Sequence, residues 1–196
     1  MKNDITQCRV CAAPISQLMS YGKMPIANGF IKEITEDEYF FDLSVGFCNS
    51  CNTFQLLQQP EPEQMFHEEY AFFSRQSKSM QSHFKKYADW VMENYMNEGD
   101  FIVEIGSNDG IMLENFSKKG FNHLGIDPSA NVVSEALSHG VNSEVMFFGM
   151  DTSEQVKNNY GKAAAIISAN VKLSISSGPT KLNLGHFALP KSPLCL

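Results

Sequence analysis

The stretch Phe101-Ile-Val-Glu-Ile-Gly-Ser-Asn-Asp-Gly110 decides how this chain folds. Apolar residues run through Glu104 into Gly106 and Gly110, and a helix-like pattern starts at Ile111. A buried strand ending in a glycine turn, with a helix just behind it, is how α/β proteins present backbone N–H groups to a ligand. Asp127 stands 21 residues beyond Gly106, at the end of the next apolar run, His123-Leu-Gly-Ile-Asp127. A carboxylate at that offset can accept hydrogen bonds from both hydroxyls of a ribose. The two features point to a nucleoside-containing cofactor; a βα turn without a ligand is the alternative.

The turn also discriminates between cofactors. A dinucleotide site uses G-x-G-x-x-G, because the backbone must approach a pyrophosphate closely. Here Asn108 stands where the second glycine would be, and Asp109 is expected to place negative charge near that phosphate. Glu104, two residues before the turn, adds another carboxylate. Such a loop repels a pyrophosphate and suits S-adenosylmethionine, whose sulfonium and ammonium groups are cationic. An NAD site is disfavoured on the same grounds.

The chain has 196 residues, enough for one full domain and a small module. No apolar run approaches the length of a membrane span, and Met1-Lys-Asn-Asp lacks the apolar core of a signal peptide, so a cytoplasmic location is expected. A net charge of −7 argues against a nucleic-acid-binding surface, whose footprint is basic.

That exclusion bears on the cysteines. Four of the five form two pairs, Cys8-Arg-Val-Cys11 and Cys48-Asn-Ser-Cys51. A tight turn lets each C-x-x-C put two thiolates on one metal ion, and two pairs complete a tetrahedral Cys₄ zinc site. The 36 residues between the pairs exceed ordinary finger spacing and require a spliced-in loop or hairpin. Disulfides fit a cytoplasmic chain poorly, and a redox C-x-x-C would not occur twice. His67 and His83 are expected to be ordinary histidines, since four cysteines already fill the site.

Between the pairs, Ser20 to Phe30 carries turn residues at Gly22, Pro25 and Gly29. Residues 39–47 read as a strand delivering Cys48, and residues 54–57 as the returning strand. The polar, proline-broken Gln58-Gln-Pro-Glu-Pro-Glu63 closes a zinc module at 1–62. An aromatic segment, Met65 to Ser74, follows without clean periodicity. From Ser79 to Asn97, Met80, Phe84, Tyr87, Ala88, Val91, Met92, Tyr95 and Met96 form one helical stripe of core residues. Beyond the opening strand the pattern predicts helix 111–119, strand 122–127, helix 129–139, strand 144–148, a helix over 152–159 capped by Thr152-Ser-Glu-Gln155, and strand 163–168. Strands alternating with short helices mean a parallel sheet, so 63–171 reads as a Rossmann-like α/β domain. Phe147 and Phe148, closing the third strand, are placed to flank an adenine, or else to fill the core.

Taken together these segments resemble the sugar-nucleotide C-methyltransferases of deoxysugar biosynthesis. The resemblance covers about residues 5–171. It rests on Cys8-Arg-Val-Cys11, Met24-Pro-Ile-Ala-Asn-Gly-Phe30, Gly46-Phe-Cys-Asn-Ser-Cys51, Phe66-His-Glu-Glu-Tyr-Ala-Phe-Phe-Ser74, Val103-Glu-Ile-Gly-Ser-Asn-Asp-Gly110 and Gly125-Ile-Asp-Pro-Ser129. The ordered combination is far more specific than any one motif. It implies an N-terminal zinc domain, a central S-adenosylmethionine domain and a C-terminal sugar-nucleotide domain. The implied substrate is a nucleotide-linked keto-deoxysugar, and the implied chemistry is proton abstraction beside the keto group followed by attack of the enolate on the sulfonium methyl. From the match, Glu104, Gly106, Ser107, Asn108 and Gly110 would line the methionine end, Asp127 would hold the ribose, and Tyr70 is a candidate substrate-facing hydroxyl or else core.

After Ala169-Asn-Val171 the chain departs from that pattern. Residues 172–196 hold three lysines, three prolines and Cys195, whereas all 22 acidic residues lie earlier. This composition reads as a loosely ordered tail, as after a frameshift or a premature end. The expectation is a zinc-bearing, incomplete methyltransferase sheet that binds S-adenosylmethionine weakly and transfers no methyl group. The competing expectation is a zinc-bearing interaction module with a vestigial cofactor fold.

Overall fold

The structure, a computed structural model, describes residues 5–27, 29–31, 33–34 and 38–169. The expectations for Asn28 and for residues 170–196, the tail and Cys195 included, lie outside the described residues.

The chain builds two sheets in sequence. The first is antiparallel, with β1 (Ser16–Pro25), β2 (Phe40–Cys48) and β3 (Thr53–Leu56) in that order. Ser20 to Pro25 was expected to turn; instead it extends β1, and Gly22, at a φ of 72°, falls within the register shift between Ser20 and Lys23 opposite β2. The reason is that a bulge, like a turn, needs a residue free to adopt positive φ, so Gly22 carries both signals. Turning begins later, where the Gly29 N–H bonds the Ile26 carbonyl at 3.1 Å. Buried apolar side chains are few here: among the described residues of this sheet and its loops, Cys8, Val45, Cys48 and Leu57.

A short helix, α1 (Pro62–Met65), leads through the aromatic segment to α2 (Lys78–Tyr95). The Ser77 hydroxyl caps α2 by accepting from the Met80 N–H at 3.3 Å. Phe84, Ala88 and Val91 of the apolar stripe are buried, and Met80, Tyr87, Met92 and Met96 pack beside them. Tyr95 is the exception: it is exposed and lies edge-on to Trp90, which takes the inward place.

The second sheet is parallel and contains β4 (Phe101–Ile105), β5 (Asn122–Asp127), β6 (Ser143–Val145) and β7 (Ala165–Ser168). Its order is β6-β5-β4-β7, with α3 (Leu113–Ser117), α4 (Ala130–Ser138) and α5 (Met150–Tyr160) as crossovers. Every residue of β4 is buried, as a central strand covered on both faces requires. On one face Ile102 meets α2, α3 and α4 through Phe84, Phe116 and Ala136; on the other, Phe101 and Val103 meet Val156 of α5. The order reverses at β4, between β5 and β7, which is where open α/β sheets form a ligand crevice. The expected incomplete Rossmann-like sheet is therefore the one observed, and β7 has no outer neighbour among the described residues.

Several boundaries differ from those the pattern predicts: β6 stops at Val145 rather than 148, β7 starts at Ala165 rather than 163, and two helix starts shift for identifiable reasons. α5 begins at Met150 because extended Gly149 is its N-cap; the Thr152 hydroxyl folds back to accept the Gly149 N–H at 2.7 Å, which puts Thr152 inside the helix. α3 begins at Leu113, because the chain needs Gly110 at a φ of 70° to leave the turn.

Gly110 is also a tight packing point, since a Cβ there would lie 3.0 Å from the Ala136 Cβ and the Val141 Cγ1. Gly110→Ala is expected to cost about 2 kcal/mol through left-handed strain and this close contact. Urea unfolding followed at Trp90 measures it, with Gly120→Ala, whose added Cβ meets nothing within 4 Å, as the strain-only comparison.

Candidate active site and zinc centre

The four thiols converge as the spacing requires. Cys8 Sγ lies 3.6 Å from Cys51 Sγ and Cys11 Sγ lies 3.6 Å from Cys48 Sγ, with all four sulfurs within 4.8 Å of one another. Four thiolates around zinc stand about 3.8 Å apart, given Zn–S bonds of about 2.3 Å, so the cluster fits the ion. Both pairs sit on tight turns whose next residue is left-handed: Ala12 at a φ of 59° and Asn52 at 56°. The turns aim N–H groups at the first sulfur of each pair. The Cys11 N–H, joined by those of Val10 and by the Gln55 and Cys51 side chains, lowers the Cys8 thiol to about 6 against the opposing effect of burial. The Cys11 thiol receives the Ala13 N–H, yet the three neighbouring thiols and burial push it up to about 12. Cys48 is lowered, chiefly by the Cys51 N–H. All four cysteines are free, which sets aside the disulfide alternative among the described residues.

Gln55 is a part of this centre that the sequence did not reveal. Its Nε2 donates to Cys8 Sγ at 3.1 Å while its Oε1 accepts the Arg9 N–H at 3.0 Å. A lone glutamine on a short strand carries no metal signature. His67 and His83 stand outside the cluster, as expected.

The strand order puts the expected ligand site of this sheet at the C-terminal ends of its central strands, where the turn after β4 meets the end of β5. The turn does not present its N–H groups as the sequence implied. Those of Gly106 and Ser107 donate to the Ile126 carbonyl at 2.8 and 3.2 Å, that of Asn108 to Asp127 Oδ2 at 3.0 Å, and that of Gly110 to the Ser107 carbonyl at 3.0 Å. With the N–H groups of Gly106, Ser107, Asn108 and Gly110 spent inside the protein, the turn is a poor phosphate cradle. The correction strengthens the preference for a cation over a pyrophosphate.

Carboxylates dominate what remains. Glu104 is 3% exposed and its Oε2 has no partner. Burial first, then Asp109 and Asp127, raise its carboxyl well above the ordinary value, against one opposing N–H from Leu113. Asp127 Oδ1 accepts the Ser129 N–H at 2.9 Å, and burial raises its carboxyl despite this and the Asn108 N–H. Asp109, fully buried, is not turned toward a phosphate site as expected. Its Oδ2 accepts the Arg75 N–H at 2.7 Å, and burial raises it against the Arg75 charge.

The aromatic segment forms a strap over this turn. Asn108 Oδ1 accepts the Ser74 N–H at 3.1 Å and its Nδ2 donates to the Phe72 carbonyl at 3.0 Å. The Arg75 guanidinium bonds the Asp109 carbonyl and pairs with Glu114, and Asn131 Nδ2 reaches the Tyr70 carbonyl at 2.7 Å. Arg75 and Asn131 were absent from the sequence reading; a single cation in an aromatic run was the available hint. Tyr70 is half-buried, and burial with the Asp127 charge keeps its hydroxyl protonated above the usual range.

The remaining candidates divide. Phe147 is exposed beyond β6 and meets Phe66 edge-on at 6.4 Å, with Phe66 in turn 5.9 Å from Tyr70. Phe148 instead packs beside the core of Phe101, Val103 and Leu124. The Ser107 side chain is buried where a Cβ on Gly125 would come within 2.5 Å of its Oγ, so it faces β5. Gly106 and Gly110, both at a φ of 70°, shape the turn.

A cysteine-built zinc module followed by a parallel half-sheet with an acid-rich crevice makes the chain similar to zinc-bearing, S-adenosylmethionine-dependent methyltransferases. Residues 8–66 match the family Methyltransf_13, described as "Putative zinc binding domain". The chain is 29% identical over 166 residues to C-methyltransferase NovU of Streptomyces niveus, a match covering 83% of this chain and 39% of that protein. It thus spans about two fifths of this curated relative's length. Among solved structures, DesVI of Streptomyces venezuelae aligns at 18% identity and a TM-score of 0.36 over 48% of this chain and 38% of that one. The plantazolicin methyltransferase BpumL in complex with SAH aligns at 21% and a TM-score of 0.27 over 33% and 26%. The match to NovU bears out the likeness to C-methyltransferases read from the motifs.

Removing a partner of a metal-bound ligand typically weakens affinity ten- to a hundredfold. Gln55→Ala is therefore expected to lower zinc affinity about tenfold, read by competition with a chromogenic chelator, whereas Cys48→Ser abolishes stoichiometric zinc. Glu104 gives a test with pH. Its folded-state carboxyl is raised, so the fold favours the protonated acid, and stability is lost as pH climbs from the ordinary carboxylate range through the raised value. Glu104→Gln is expected to melt higher than the parent at pH 8 and to converge with it near pH 4, in thermal melts without ligand.

Proposed function

We propose that residues 63–171 bind S-adenosylmethionine in the crevice at the ends of β4 and β5, and that the activity served is C-methylation of a nucleotide-linked keto-deoxysugar. The observation that carries this reading is Glu104 Oε2, a buried and unpartnered carboxylate oxygen beside two more acids and a turn that spends four of its N–H groups inside the protein. A cationic donor suits that environment; a pyrophosphate does not. The keto-deoxysugar follows the family resemblance, and C-methylation also follows the printed activity of NovU. We place the protein in the cytoplasm, where four zinc-binding thiols stay reduced. Among the described residues no helix is long and apolar enough to cross a membrane.

When bound, the cofactor supplies an electrophilic methyl group. The chain's own residues hold and orient. Asp127 uses one lone pair on each oxygen for backbone N–H groups, leaving the others for two ribose hydroxyls. Glu104 faces the positive end. Phe147, across from Phe66, offers an aromatic face to the adenine. Tyr70 remains a hydroxyl at neutral pH, able to donate to a substrate oxygen as an enolate forms. The strap over the turn excludes water from this corner, which strengthens each of these interactions.

A second reading, a zinc-bearing interaction module, is favoured by the open β1, where Leu18 and Tyr21 are 61% and 59% exposed. Calorimetry with S-adenosylmethionine separates the two. Saturable binding that Asp127→Ala weakens at least about tenfold, the worth of a charged hydrogen bond or two, supports the cofactor reading. No heat with the parent chain overturns it. This chain is expected to transfer no methyl group, so turnover of labelled cofactor on a nucleotide-linked ketosugar would overturn that expectation and identify the substrate.

A further inference from the structure

Asn108 makes three hydrogen bonds in three directions. Its N–H holds Asp127 Oδ2 at 3.0 Å, its Oδ1 takes the Ser74 N–H at 3.1 Å, and its Nδ2 gives to the Phe72 carbonyl at 3.0 Å. It does so from a left-handed backbone at a φ of 49°, a conformation that asparagine tolerates better than most residues. Each polar end of its side chain is engaged by the strap, with one amide hydrogen and one oxygen lone pair left over.

We propose that Asn108 is a positioning residue that couples the crevice to the strap, so that filling the crevice and ordering Phe72 to Arg75 are one event. The proposal rests on the cofactor reading for its ligand and goes beyond it in assigning the side chain to the strap. The Asn108 backbone is held by the carboxylate that would grip the ribose, and its amide is held by the segment that carries Tyr70. Any shift of the turn on ligand entry moves both amide contacts. Neighbouring bonds run in parallel: Asp109, next in the chain, takes the Arg75 N–H at 2.7 Å, and Asn131 of α4 takes hold of the Tyr70 carbonyl at 2.7 Å. A strap fixed at both ends and pinned in the middle opens as a unit.

The clean variant is Asn108→Gly, which keeps the backbone N–H and accepts positive φ while deleting both amide bonds. Hydrogen exchange is read at two positions in the whole chain loaded with zinc. The Ser74 N–H loses its acceptor directly. The Arg75 N–H does not, because its acceptor is Asp109. Coupling predicts that both exchange about tenfold faster in the variant, the consequence of losing one or two net hydrogen bonds across a shared opening. Amides of α2 and β4 serve as the folding control. If only Ser74 responds, the role is local and the proposal falls.

The ligand arm adds S-adenosylhomocysteine. Arg75 is expected to slow further in the parent chain and to stay unprotected in Asn108→Gly, even where calorimetry shows the ligand bound. Binding to the parent without slowing at Arg75 overturns the coupling. No binding to the parent overturns the cofactor reading instead, and the ligand-free comparison still decides the role of Asn108. Asn108→Asp, which keeps the acceptor for Ser74 and loses the donor to Phe72, is expected to fall between the two.

Discussion

The Asp127 carboxylate ties the parallel sheet's loops into one site. One oxygen holds the Asn108 N–H after β4 and the other the Ser129 N–H ahead of α4, so the ends of two adjacent strands are joined through a single side chain. Neighbouring strands alone would leave these loops free to splay, because ladder bonds stop where the strands end. With the carboxylate in place, the N–H groups of Gly106, Ser107 and Gly110 fold onto the Ile126 and Ser107 carbonyls, and Asn108 is set to catch the strap. Burial of Asp127 works against this by raising its carboxyl, and the two N–H donors are what offset that cost.

The zinc module solves a different problem. Its sheet buries few apolar side chains and leaves every residue of β1 exposed, so hydrophobic burial cannot hold it alone. The cysteine turns substitute for a core. Each aims backbone N–H groups at its first sulfur, and the four sulfurs lie within 4.8 Å of one another, where thiolates without a counter-ion repel. A divalent ion removes that conflict, which is why folding and metal binding in such modules are one equilibrium.

The sequence made some of this plain and hid the rest for identifiable reasons. Cys8, Cys11, Cys48 and Cys51 were legible because metal chemistry fixes both residue type and spacing. The β4 turn and Asp127 were legible because a buried strand, glycines and an acid at a set offset leave little else to be. Gly22 misled, since positive φ serves a bulge as well as a turn. The strap was not legible at all. Its bonds from Asn108, Asp109 and Asn131 to residues 70–75 join positions 34 to 61 residues apart, and neither end has a periodic pattern to betray the contact. The fate of the Gly106, Ser107 and Asn108 N–H groups was hidden likewise, because their acceptors belong to the next strand.

These two kinds of residue meet at Glu104. A carboxylate in the middle of the most buried strand is the least stable choice the chain could make there on packing grounds, since isoleucine or valine would fill β4 without a desolvation cost. Among the described residues no ion pair reaches it, and the Arg75 guanidinium is engaged by Glu114 and by the Asp109 carbonyl. The fold therefore carries an unsatisfied acid at the one point where its strand order reverses and a crevice must form. Stability is sacrificed at such points when a ligand is to supply the missing partner. A positively charged guest at the ends of β4 and β5 gives Glu104 what the protein withholds, and a neutral or anionic one does not.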